Sequence, residues 1–230
     1  RSGNLAHYGG RHAEAIEYYT RALALDHEII VLHLNRGTSY LESKQYELAV
    51  VDLRHATQLD NENHVAFRRL GQAFNALGKI EEAIEAYSAA ITIQPLAKSH
   101  FERGNCRFRA GDYLGAIDDY TETIKLDSDQ RYPSAYDYRG QCGFLMANYQ
   151  NALSDFKCAK DIMMSPDSAD AGTAVTLFVL GQHARATSLW RALIANDARM
   201  QESDYVAQKF EWPAPMVVQA QALIAVISED

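Results

Sequence analysis

Three absences narrow what this sequence can do before any motif is sought. A basic surplus is missing: 22 Lys and Arg stand against 30 Asp and Glu, a formal net charge of −8. No general positive field therefore exists to hold a nucleic-acid backbone. Cysteine is scarce, with only Cys106, Cys142 and Cys158 and no CxxC pair among them. Such a set argues against a disulfide framework or a structural zinc site and fits a reducing, cytoplasmic compartment. Long apolar runs are also lacking. The best candidate, MVVQAQALIAVI at 216–227, is shorter than the roughly 18–20 residues a membrane span needs. Five prolines and thirteen glycines in 230 residues exclude a collagen-like or loop-dominated chain.

Catalytic signatures are missing too. The eight histidines are scattered, with no HExxH pair, and neither GxSxG nor a phosphate-binding glycine loop occurs. Cys106 and Cys142 share a column with Ser39 and Ala73 in the pattern described next, so small-residue packing accounts for them. His12 and His183 fall in a column otherwise held by Tyr46, Ile80, Tyr113 and Tyr149. No catalytic, cofactor-binding or metal-ligating residue is expected, and the chain reads as non-enzymatic.

What is present is one helix written repeatedly. EAIEYYTRALALD at 14–26 returns as EAIEAYSAAITIQ at 82–94 and GAIDDYTETIKLD at 115–127. Aligned on Ala15, Ala49, Ala83, Ala116, Ala152 and Ala186, the intervals are 34, 34, 33, 36 and 34 residues. Four residues after each alanine stands a bulky side chain: Tyr19, Leu53, Tyr87, Tyr120, Phe156 and Trp190. Twelve residues before it is glycine in five units (Gly3, Gly37, Gly71, Gly104, Gly140), with Ala174 in the sixth. Five residues before it is Gly10, Gly78, Gly111 or Gly181, with Lys44 and Ala147 as exceptions. Small residues one or two turns apart let a second helix approach closely, and a glycine between two helices suits a left-handed cap. Each unit is therefore predicted to be a helix, a short turn and an antiparallel helix, which buries its apolar stripe only by stacking on neighbours.

These columns resemble the tetratricopeptide repeat (TPR) family. RRLGQAFNALGKIEEAIEAYSAAITIQP at 68–95 carries the resemblance most fully, including the closing Pro95. The resemblance implies an all-α, right-handed superhelical solenoid of antiparallel helix pairs. It covers residues 1–196 as about six repeats, the first truncated and the sixth degenerate, so the native protein is expected to continue upstream. Beyond it, residues 197–230 read as C-terminal capping helices, one over ARMQESDYVAQKF and one started by Pro215. The last helix is apolar on most sides and suits an end cap or, alternatively, a self-association surface.

By the same resemblance, first helices line a concave groove that takes a peptide or partner helix, making the chain a protein-interaction scaffold or adaptor. Alternatives are a structural subunit docking by its convex face or tail, and the interaction domain of a longer protein. First-helix segments carry nine Lys/Arg against three Asp/Glu, whereas second-helix segments carry seven against thirteen. That asymmetry favours an acidic or carboxylate-terminated ligand. The expected groove residues are Asn4, Asn35, Arg68, Arg69, Gln72, Lys98, Asn105 and Arg109. TPR co-chaperones grip the C-terminal carboxylate of heat-shock chaperones with a Lys/Asn/Asn/Lys/Arg clamp. Asn4, Asn35 and Arg69 match three of its slots; Val65 occupies a lysine slot, and the first lysine slot precedes Arg1.

Overall fold

A helix is predicted on either side of each punctuating glycine. The computed structural model, which describes residues 11–163 and 167–229, places helices on both sides of those positions that fall within these residues, with no β-strand among them. The chain divides into two compact units, Arg1–Asp112 and Tyr113–Asp230. The N-terminal unit holds α1 (His12–Leu23), α2 (Ile30–Glu42), α3 (Tyr46–Leu59), α4 (His64–Ala76), α5 (Ile80–Ile93) and α6 (Ala97–Ala110). In the C-terminal unit are α7 (Tyr113–Leu126), α8 (Ser134–Leu145), α9 (Tyr149–Ile162), α10 (Asp167–Val179) and α11 (His183–Asn196). A 3₁₀ turn (Ala198–Gln201), α12 (Ser203–Phe210) and α13 (Ala214–Glu229) complete it. Within each unit, helices that follow one another in the chain contact one another. The first helices of successive pairs also touch, α2 with α4 and α4 with α6 in one unit and α8 with α10 in the other.

The repeat columns acquire a physical meaning here. All six aligned alanines, and the bulky residues four positions on, are buried. Each large side chain contributes about 1.5–3 kcal/mol by leaving water. The early glycine lies opposite that side chain, sixteen residues away. A Cβ on Gly37 would sit 2.8 Å from Leu53, on Gly71 2.8 Å from Tyr87, and on Gly140 2.9 Å from Phe156. Gly at this column is what lets the two helices of a pair close over a large side chain.

A second sixteen-residue link holds the pairs together. Arg36 on α2 makes two 2.7 Å bonds to the Asp52 carboxylate on α3, and Arg139 on α8 bonds Asp155 on α9 at 2.7 and 2.9 Å. Each guanidinium also donates to a hydroxyl one repeat back, Thr20 at 3.1 Å and Thr121 at 3.0 Å. Arg103 reaches Ser88 in the equivalent column at 2.9 Å. One planar fork thus ties three helices, the geometry for which arginine is suited and lysine is not.

Among the described residues, the turns inside the helix pairs share one conformation whatever residue occupies them. Gly78, Gly111 and Gly181 adopt positive φ, and so do Lys44 (φ 61°) and Ala147 (φ 57°), the two departures from glycine. The following N–H reaches back to the last turn in every case, as in Gln45 to Tyr40 and Asn148 to Gly143, both 2.8 Å. This is the 6→1 bond of a Schellman cap, and it outweighs the left-handed strain of an L side chain.

The C-terminal extension differs from its sequence expectation in one respect. Residues 198–210 are not one helix: a 3₁₀ turn precedes α12, with Glu202 extended between them. The interruption puts the Met200 carbonyl 3.1 Å from the Trp190 indole N–H, satisfying a donor that is otherwise buried. Met200, Val206, Trp212, Met216, Ala220 and Leu223 join Phe156 and Trp190 in one core, and α13 contacts α8, α10 and α11.

Candidate functional site

The contact between first helices α2, α4 and α6 brings one face of each to the same side of the N-terminal unit. Residues one repeat apart therefore meet. Arg68 pairs with Glu102 at 3.5 Å, and Arg109 donates to Asn75 at 2.6 Å, both across 34 positions. Between these links lies a cavity of about 370 Å³ bordered by Glu42, Arg69, Gln72, Asn75, Glu102 and Asn105, with Tyr87 among the deeper lining residues.

The polar groups form one connected set. Arg69 donates to the Gln72 side-chain oxygen at 3.1 Å, and the Gln72 amide donates to Glu102 at 2.5 Å. Glu42 stands 3.6 Å from Arg69 at the rim. Glu102 Oε2 is buried with no hydrogen-bond partner. Burial raises the Glu102 carboxyl above its ordinary range, opposed by Arg68, the Gln72 amide and Lys98. Burial and the neighbouring Arg68 charge lower the Arg69 guanidinium. Burial likewise pushes the Tyr87 phenol upward, making it a hydroxyl donor rather than a phenolate.

Of the groove residues expected from the sequence, Arg69, Gln72 and Asn105 border this cavity together. Arg68 is largely buried and committed to Glu102, and Arg109 is committed to Asn75. Asn35 is half-buried on α2 and Lys98 lies one turn from Glu102 on α6; neither borders the cavity. Asn4 lies outside the described residues. Val65, in the clamp's lysine slot, is half-buried at the start of α4. The acids Glu42 and Glu102 and the amide Asn75 were not anticipated from the sequence. The 34-residue spacing between Arg68 and Glu102 was the available signal for one of them. Among the described lining residues Arg69 is the one cation, beside the carboxylates Glu42 and Glu102, and the further cations Arg68, Lys98 and Arg109 stand around the cavity. Cys106 nearby is buried, and burial pushes its thiol up to about 11, which leaves it inert at neutral pH.

Comparison with known proteins agrees with this architecture. Tetratricopeptide repeat family models match residues 1–28 and 34–98. Hsp70-Hsp90 organizing protein 3 of Arabidopsis thaliana is 34% identical over 87% of this chain and 42% of its own length. Human tetratricopeptide repeat protein 13 is 28% identical over 64% of this chain and 18% of its own. The chain thus spans less than half the length of these relatives. Among solved structures, the C-terminal part of a TPR repeat-containing protein from Cytophaga hutchinsonii superposes with a TM-score of 0.74 at 18% identity. That match covers 99% of this chain and 94% of the other. YrrB, described as a TPR protein with an unusual peptide-binding site, superposes with a TM-score of 0.72 at 15% identity, over 90% of this chain and 99% of its own. With the repeat columns, the paired helices and these matches in agreement, the chain belongs to the tetratricopeptide repeat family.

Proposed function

We propose that the N-terminal unit binds an acidic or carboxylate-terminated segment of a partner protein in the groove formed by α2, α4 and α6. TPR proteins mediate protein–protein interactions and scaffold assemblies, and on this reading the role is non-catalytic. The observation that carries it is the convergence of Arg69, Gln72 and Asn105 on one polar cavity, with the cations Arg68, Lys98 and Arg109 around it. Charge-assisted bonds from guanidinium and amide donors suit a carboxylate. Asn35, Lys98, Arg68 and Arg109 supply the surrounding field, and Asn4 extends the set at the N-terminal side in the repeat frame. Resemblance to an Hsp70-Hsp90 organizing protein supports a chaperone tail as the ligand. Val65 removes one lysine contact of about 1.5–3 kcal/mol from the two-carboxylate clamp.

The test is fluorescence anisotropy with an acidic peptide ending in Glu-Glu-Val-Asp, its C-terminus free or amidated, at low and physiological salt. Binding is expected to weaken on amidation, with added salt, and in an Arg69→Glu/Lys98→Glu double variant that keeps its helicity. Affinity unchanged in that variant would overturn the groove assignment. A second reading, assembly through α13, has in its favour Val218 and Val226, exposed on a helix that is otherwise strongly apolar. A monomeric sedimentation coefficient at high concentration removes it.

A further inference from the structure

The C-terminal unit carries a second polar cavity, of about 340 Å³, between α8, the start of α10 and the end of α12. Asp137 on α8, a buried residue, accepts from the Gln141 amide at 3.0 Å and from the Ser168 hydroxyl at 2.9 Å, both at Oδ2. Asp137 Oδ1 and Gln141 Oε1 are buried acceptors without a hydrogen-bond partner, and both residues border the cavity. Glu211, exposed at the cavity rim with φ 51°, adds another carboxylate. Lys209 borders the same space, but its ammonium bonds Asp167 at 3.0 Å and Asp197 at 3.4 Å. Among the described lining residues no other cation is present.

Two buried acceptors left unsatisfied cost on the order of 1–3 kcal/mol each, which is tolerated where a ligand supplies the donors. Burial holds the Asp137 carboxyl above its ordinary range, and the Ser168 and Gln141 bonds only partly offset this. A cation in the cavity would restore the carboxylate.

We infer that this cavity receives a guanidinium-bearing side chain, an arginine of a partner segment, which donates to Asp137 Oδ1 and Gln141 Oε1 with Glu211 completing the charge. A planar fork of donors matches two neighbouring acceptors better than a single ammonium does. The inference does not depend on the acidic-peptide reading of the other unit.

Amide-resolved NMR of the whole chain tests it, by titration with acetyl-Gly-Ser-Arg-Ser-Gly-amide and with the same peptide carrying citrulline, which is isosteric but uncharged. The arginine peptide is expected to give saturable shifts at the Gln141 side-chain amide and the Lys209–Glu211 backbone, with citrulline at least about tenfold weaker. Asp137→Asn should abolish the response. Glu211→Gln, an exposed change that does not threaten the fold, should weaken it several-fold. Equal response to citrulline, retention in Asp137→Asn, or no saturable shift would each overturn the assignment. N-acetyl-argininamide distinguishes the source: binding tenfold weaker than the peptide supports a partner's side chain, and equal affinity would replace it with a small guanidinium compound.

Discussion

The same repeat position is used with opposite charge in the two units. Counting back from the aligned alanines, Arg68 and Asp137 occupy one column, and Gln72 and Gln141 another, one helical turn further on. In the N-terminal unit the charge and amide converge on Glu102 from the next first helix, a charged partner that leaves one carboxylate oxygen over. In the C-terminal unit Asp137 accepts from Ser168, a neutral partner, and from Gln141 itself, and two acceptors are left over beside a cavity. The difference teaches that a repeat fixes where polar side chains point, while the neighbouring repeat decides whether they are satisfied.

The largest expected effect concerns how each unit is closed. Removing residues 213–230 takes Met216, Ala220 and Leu223 out of the core around Trp190. At about 1.5–3 kcal/mol per large buried side chain, the C-terminal unit should lose most of its stability. Hydrogen exchange is expected to show lost protection in α10 and α11, with α2–α5 unchanged. Equal loss in both units would break the comparison.

The arginine clamps give the next test, because they are equivalent and differ in one partner. Asp52 also meets His33 at 3.0 Å, whereas Asp155 has only Arg139 as an ion-pair partner among the described residues. Arg139→Ala should therefore cost about 3 kcal/mol, and Arg36→Ala less, measured as urea midpoints of the single variants. The reverse order would assign no stabilising role to His33.

Asp137 and Glu102 are both held above the ordinary carboxylate range by burial, but Glu102 has cations beside it. A raised folded pKa contributes stability that is fully present below the unfolded value and is lost as pH rises through the folded one. Asp137→Asn should thus stabilise the C-terminal unit at pH 7 by on the order of 1 kcal/mol and flatten its decline as pH rises above about 4, the ordinary aspartate value. Glu102→Gln should change the N-terminal unit less. Thermal unfolding across that pH range checks both. The smallest effect is at the caps: Ala147→Gly and Lys44→Gly, at φ 57° and 61°, should each gain about 0.5 kcal/mol, read as a slightly higher Tm.

Much of the fold was legible because it rests on side-chain size at fixed spacing. Gly71 and Tyr87, or Gly140 and Phe156, sit sixteen residues apart because two antiparallel helices joined by a short turn allow little else. The left-handed turn at Ala147 was less legible, since only its place in the frame, and not its residue type, marks it. Arg36 and Arg139 count among the nine basic residues of the first-helix segments, and their carboxylate partners, also sixteen residues on, show them to be structural. Arg69 could be picked from the charge asymmetry of the first helices, and Gln72 and Asn105 from their place on those helices in the repeat frame. Glu102 could not be ranked above other acids, because its importance comes from burial beside Arg68.

The residue pattern alone settled the helix pairs, their period and which faces are apolar, since these follow from local propensity and steric fit within about 34 residues. Only the folded arrangement decided that α13 is built into a core, that Arg68 is neutralised and that Asp137 is not. Those outcomes depend on desolvation and on distances of a few ångströms between helices, and one-dimensional spacing does not carry either.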